Sequence, residues 1–442
     1  MKIRKLTTIS AICIIMIVTS STTFASDNSK VTVSSELPDS YTIQDVPYID
    51  QETGFFCQFA SLSMLFQYYN RSASLREVLY YCGTGHSFCY SSNERLPALA
   101  NAFKSSVLEK LYGVSFREWM PDLFMSEDEC WQEYWYRVKQ NISNDIPVLT
   151  TVDPFSLSSA KNQFNLPVWY WNMHPPSGHV ILLIGYNESN ETVCYHDSIA
   201  ESYGDSQYGV YAWMSLDDFK KALKRDVFTS YLIWTFKRVS SPLPPEEIFD
   251  MAHKENIERL KGNLSAYTKW FVDGHKDYDF GINASKELRE DFKKGIGCRH
   301  RTIFTYKLKG KLGLKYRLKK FLLLSHLPIF DLFPVNFTVA LQTGNVYTQI
   351  AIQKRYTAEY LREIQLKLSD PVFLSICINE SNLFEQEAEN WTKLAECYSE
   401  FKEKGIFMSL SHGIQIMIQM EEIMDNVVTI QQKIIDGPLN GK

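Results

Sequence analysis

The stretch that decides the reading is Val46–Tyr69, VPYIDQETGFFCQFASLSMLFQYY. From Phe59 to Tyr69 the apolar residues recur at helical spacing, which predicts a helix with Cys57 at its start. The aligned peptide dipoles at a helix N-terminus favour an anion, and a nearby imidazolium favours it further. Both lower a thiol's pKa and raise its thiolate population. Gln51 lies six residues upstream, on a turn that contains Gly54. From there a side-chain amide can donate to an oxyanion that also receives the backbone N–H of Cys57.

An activated thiol needs a base, and the second informative stretch supplies one: Gly178–Ser198, GHVILLIGYNESNETVCYHDS. His179 opens a buried strand predicted over His179–Tyr186, after Pro175-Pro176-Ser177-Gly178. The small residues before it, Gly178 above all, leave room for a substrate beside the ring. A turn at Asn187–Asn190 leads into a strand over Glu191–His196, and Asp197 follows eighteen residues after His179. A hairpin of that length can return the carboxylate to the imidazole and hold its tautomer. Each residue alone has a plainer reading, since a lone Cys at a helix start packs as a small core residue and a lone His beside a strand is structural. Together, in this order, they have the logic of a thiol nucleophile with base and orienter. His196 is a weaker base candidate, because strand alternation turns it away from the face of Asp197. His174, in the Pro-rich loop, can line the groove, and His86 can reach the site from the Cys82–Cys89 loop.

The same two blocks carry a resemblance. Val46–Tyr69 resembles the start of papain-like cysteine peptidases related to bacteriocin-leader-processing peptidases, and Gly178–Ser198 resembles their Gly-His-x-Val…Gly-Tyr…Asp block. Over roughly 45–405 the chain is also similar to proteins with a butirosin-biosynthesis-H-type N-terminal domain and a helical C-terminal domain. That similarity includes SLREVLYYCGTGHSFCY (Ser74–Tyr90), IPVLTTVDPFSL (Ile146–Leu157), FGINASKELREDF (Phe280–Phe292) and EAENWTKLAECYSEF (Glu387–Phe401). The resemblance implies an α+β, papain-like fold with Cys57 as nucleophile, His179 as base, Asp197 as orienter and Gln51 as oxyanion donor. The sequence departs from the family twice. Gln58 follows the nucleophile where these peptidases usually have Gly. An insertion at Asn162–Pro176, with Trp169, Tyr170 and Trp171, can roof the groove or block it; Trp169, Trp171 and His174 are therefore candidate substrate contacts.

Around these blocks the pattern shifts once. Residues 45–237 mix helices (Ser74–Tyr81, Leu216–Lys224) with strands (Pro147–Asp153, Tyr208–Met214, Phe228–Phe236). Ser240-Ser241-Pro242-Leu243-Pro244-Pro245 is a linker stiffened by three prolines. Beyond it the pattern is helical: Glu246–Val272, Ala284–Lys294, Tyr356–Leu368, Leu383–Lys404 and Ile414–Ile435. The expected organisation is a thiol hydrolase domain over 45–239, a linker over 240–245 and a mainly helical domain over 246–442. A short extended lead-in covers 26–44. Residues 1–25 read as a cleavable signal peptide, with Lys2, Arg4 and Lys5 before the apolar run Ile9–Val18 and a cut after Ala25. The expected location is thus secreted or extracytoplasmic.

The 442 residues, 45% hydrophobic and 22% charged, exclude wholesale disorder and support a core without staples. A net charge of −5 argues against general nucleic-acid binding. No Gly-rich phosphate loop and no Cys-x-x-Cys pair is present, so no cofactor or metal is expected. Export would permit disulfides, and Cys82 with Cys89 read equally as a local pair or as two thiols. Lys293–Lys320 carries basic residues and no acid. It reads either as a patch for an anionic partner or membrane surface, or as a solvated face. The function expected is an exported hydrolase of amide or peptide bonds. Acyl transfer to an amine, as in the butirosin-type proteins, and a non-catalytic binding module are the alternatives. Substrate identity and oligomeric state are not written in the sequence.

Overall fold

A helix that is apolar on every side has to be buried, and the first helix is. α1 (Cys57–Tyr68) buries every residue from Phe59 to Phe66, so it runs through the interior and only its ends reach solvent. The computed structural model to which it belongs describes residues 37–437 except 53–55, 72, 92–95, 100–102, 123, 164–177, 201–204, 226–230, 269–271, 273–276, 295–345 and 405–409. The described residues from Asp39 onward fall in one compact unit.

The helices that follow are α2 (Leu75–Tyr81), α3 (Ser105–Tyr112), α4 (Glu127–Ile142), α5 (Ser158–Gln163) and α6 (Leu216–Arg225). Several open where side chains can satisfy the first free N–H groups. Ser74 accepts from the Glu77 N–H, and Ser126 with Glu129 forms a reciprocal capping box. After the linker come α7 (Pro245–Lys261), α8 (Gly281–Lys293), α9 (Val346–Ile364), α10 (Pro371–Lys404) and α11 (Leu410–Ile435). Pro245 begins α7, where its missing N–H costs nothing. The long helix expected over Glu246–Val272 stops at Lys261 instead. Gly262, at φ 83°, takes the left-handed conformation that closes a helix.

The strands are β1 (Ser40–Thr42), β2 (Phe88–Ser91), β3 (Leu96–Leu99), β4 (Val114–Trp119), β5 (Val148–Val152), β6 (His179–Asn187), β7 (Thr192–His196), β8 (Ala212–Ser215), β9 (Ile233–Arg238) and β10 (Asp279–Phe280). The main sheet runs β4-β9-β5-β6-β7-β8, with β1 also on β6, and its pairs are antiparallel. A smaller sheet runs β10-β2-β3. Helices with an antiparallel sheet make the fold α+β, as expected. The strand expected over Tyr208–Met214 begins only at Ala212. Gly209 is pressed against Asp197 first: the Asp197 N–H donates to the Gly209 carbonyl at 2.9 Å, and a Cβ on Gly209 would stand 2.3 Å from the Asp197 carbonyl oxygen.

One core joins α1 and β6 to the later helices. Phe59, Leu62 and Phe66 share it with Ile181, Leu183, Tyr360, Leu361, Phe384 and Ile434. A second cluster packs Phe88 and Tyr90 of β2 against Leu288, Trp391 and Met424. Cys57, Cys82, Cys89, Cys130, Cys194, Cys377 and Cys397 are in no disulfide, so the local Cys82–Cys89 bridge is not formed. No helix among the described residues is long and apolar enough to cross a membrane.

Candidate active site

α1 rests on β6, with the Ser61 hydroxyl donating to the Val180 carbonyl at 3.4 Å. Cys57 is the first residue of that helix, and His179 is the first residue of that strand. The packing of the two elements therefore brings sulfur and imidazole near enough for each to shift the titration of the other.

Asp197 reaches the same place through an irregularity in the hairpin. β6 and β7 pair Asn187 with Thr192, Tyr186 with Val193 and Gly185 with Cys194. Beyond a bulge the partners become Leu183 with Tyr195 and Leu182 with His196. Ile184 is thus an extra residue on β6. Continued in the regular register, Asp197 would face Leu182 and turn away from His179. With the extra residue the register, continued past Leu182 and His196, sets it opposite Ile181, two residues along from His179 and on the same side of the sheet. The result is a bond of 2.7 Å between His179 Nε2 and Asp197 Oδ1, with both residues buried.

The carboxylate is fixed on its other sides as well. Its Oδ2 accepts from the Ser159 hydroxyl at 2.5 Å, and its Oδ1 also accepts from the Ile199 N–H at 3.2 Å. Burial alone would raise the Asp197 carboxyl. The His179 charge and hydrogen bond, with those of Ser159 and the Ile199 N–H, outweigh it and hold the carboxyl below its usual value. Burial likewise disfavours a charged His179, but Asp197 and the Cys57 sulfur push the imidazole well above its ordinary value. For Cys57 burial works against the thiolate. The hydrogen bond and charge of His179, then backbone hydrogen bonds at Val180 and Gln58, turn the balance and lower the thiol. All three directions favour a thiolate beside an imidazolium. Cys57 is half-buried as a whole residue.

Gln51 is fully buried. Its backbone N–H donates to the Ser198 carbonyl at 2.9 Å, and its Oε1 accepts from the Ser198 hydroxyl at 3.0 Å. Ser198 thereby ties the glutamine to the residue after Asp197.

The structure thus brings Cys57, His179, Asp197 and Gln51 into one place. Gly178 is half-buried beside them. Trp169, Trp171 and His174 lie outside the described residues, as does most of Lys293–Lys320. His196 faces elsewhere, bonded through Nε2 to the Val46 carbonyl at 3.0 Å and through Nδ1 to the Tyr211 N–H at 3.1 Å. His86 is buried between the rings of Tyr80 and Phe384. Sequence reasoning missed Ser159 and Ser198. Ser198 had a signal in its place next to Asp197; Ser159 had none. Among the described residues no group of three or more His, Cys, Asp and Glu is placed to hold a metal ion.

Residues 43–225 match the family model described as the Peptidase_C39 like family, a segment that contains all four of these residues. The match supports a papain-like cysteine peptidase group and a cysteine peptidase-like function in general terms. No curated protein matches the chain.

Proposed function

We propose that this chain is an exported papain-like hydrolase that cleaves an amide or peptide bond through an acyl-enzyme on Cys57. The observation that carries the reading is the buried 2.7 Å bond between His179 and Asp197, with the Cys57 thiol lowered by the same imidazole. In the resting pair the proton sits on the ring. The thiolate attacks the substrate carbonyl carbon, and the negative charge moves to the carbonyl oxygen. Gln51, held by Ser198 at its carbonyl end, and the Cys57 N–H donate to that oxygen. His179 gives its proton to the leaving nitrogen as the C–N bond breaks, which leaves a thioester and a neutral ring. The ring then takes a proton from water, the hydroxide adds to the thioester, and the departing thiolate restores the pair. Asp197 keeps its negative charge throughout and steadies the imidazolium.

Export rests on the charged and apolar pattern of residues 1–25 alone. Substrate profiling of the mature protein on a peptide library tests the function. Cys57→Ala is expected to abolish turnover, and an electrophilic thiol probe to label Cys57 alone among the cysteines. Turnover that survives in Cys57→Ala would end the proposal.

A further inference from the structure

The neighbours of Gln51 and Cys57 in the sequence are gripped by a helix that lies far along the chain. Glu52 follows Gln51 directly, and Phe56 directly precedes Cys57. Glu52 stands at φ 59°, an uncommon backbone conformation for a residue with a side chain. Such a conformation persists where its surroundings over-determine it. Here they do. The Tyr356 hydroxyl of α9 donates to Glu52 Oε2. Arg76 of α2 bridges to both Glu52 oxygens, at 3.1 and 3.4 Å, and also pairs with Glu359 of α9. The Arg76 guanidinium lies over the Tyr356 ring, 4.6 Å from its centre. The same ring packs on Phe56 at 5.7 Å. One tyrosine therefore touches both the residue after Gln51 and the residue before Cys57.

We propose that α9 is a positioning element of the active site. Tyr356, with Glu359 acting through Arg76, fixes the strained backbone at Glu52 and so the aim of Gln51, while its ring sets the start of the helix that carries Cys57. The family match ends at residue 225, so this segment is completed by a helix outside it. The catalytic consequence rests on the hydrolase reading; the consequence for the backbone does not.

The test uses the full-length protein with Tyr356→Phe, which keeps the ring and removes the hydroxyl, and Glu52→Gln, which keeps an acceptor and removes the ion pair. Amide hydrogen exchange is followed in the stretch around 50–58 and in the β6–β7 hairpin. In parallel kcat, KM and the alkylation rate of Cys57 are measured. Tyr356→Phe is expected to quicken exchange around Glu52 and leave the hairpin at its wild-type rate. It is expected to lower kcat about tenfold, the scale of a small misplacement of a catalytic donor, with KM and Cys57 alkylation within about twofold of wild type. Glu52→Gln is expected to show the same pattern. Wild-type exchange around Glu52 in both variants would overturn the proposal, as would equal quickening in the hairpin, which marks general loosening. A wild-type protein without turnover, whose Cys57 alkylates as an ordinary thiol, would defeat the hydrolase reading alone, since exchange still decides the role of α9.

Discussion

Asp197 shows how a buried charge is made tolerable at the level of single residues. Both of its oxygens are engaged, by His179, Ser159 and the Ile199 N–H, while its own N–H is taken by Gly209. Removing one partner would leave a charged oxygen buried without a donor. Ser159→Ala is therefore expected to destabilise the protein by about 1–3 kcal/mol and to slow turnover, because the carboxylate no longer holds the ring in one orientation. Urea denaturation and steady-state kinetics check this; an unchanged midpoint and rate would show that Ser159 is a bystander. That Cys57, His179 and Asp197 come from neighbouring elements was legible because each stands at the predicted end of one. Ser159 was not, since a serine has no chemical signature until the fold supplies its neighbour.

Among the elements, the β6–β7 hairpin decides most. Its spacing of eighteen residues was readable, but the face on which Asp197 emerges was not. That face depends on the one extra residue at Ile184, and a run of apolar residues such as HVILLIGY gives no sign of where pairing slips. Gly185 marks the place afterwards: a Cβ there would stand 2.8 Å from the Thr42 hydroxyl oxygen and 3.0 Å from Cys194 Cβ. Helix beginnings were clearer than ends. Ser215 caps α6 as read, its hydroxyl accepting from the Asp218 N–H at 3.2 Å. The capping box at Ser126 and Glu129 announced α4 in the sequence, yet that helix was not foreseen, because its aromatic-rich face obscures the apolar period.

For the whole molecule, the helices beyond the linker share the core of the sheet and contribute to its stability from within. Their interior holds an ion pair, Lys354 with Glu387 at 2.8 Å, both fully buried. Glu387 also accepts from Trp391 Nε1 at 3.2 Å and from Gln431 Nε2 at 2.7 Å, so it joins α9, α10 and α11. Burial lowers the Lys354 ammonium pKa although Glu387 supports the charge. Glu387→Ala strands that ammonium and is expected to cost about 3–5 kcal/mol, whereas replacing both partners with apolar residues of similar size is expected to recover most of the loss. Chemical denaturation of the single and double variants checks it; equal losses in the two would contradict the account. None of this was legible beforehand, because helical periodicity reveals that a face is buried and not what it meets.

The central claim is that folding makes the Cys57 sulfur a thiolate beside a protonated ring. The most direct measurement is the rate of Cys57 alkylation by iodoacetamide as a function of pH, in the wild type and in His179→Ala. A lowered thiol keeps its rate as pH falls below the ordinary cysteine range near 8.5 and loses it only on passing its own lower value. That behaviour is expected of the wild type. In His179→Ala burial acts without the opposing imidazolium, and the profile is expected to move to or above the ordinary range. Superimposable profiles for the two proteins, both rising near pH 8.5, would contradict it.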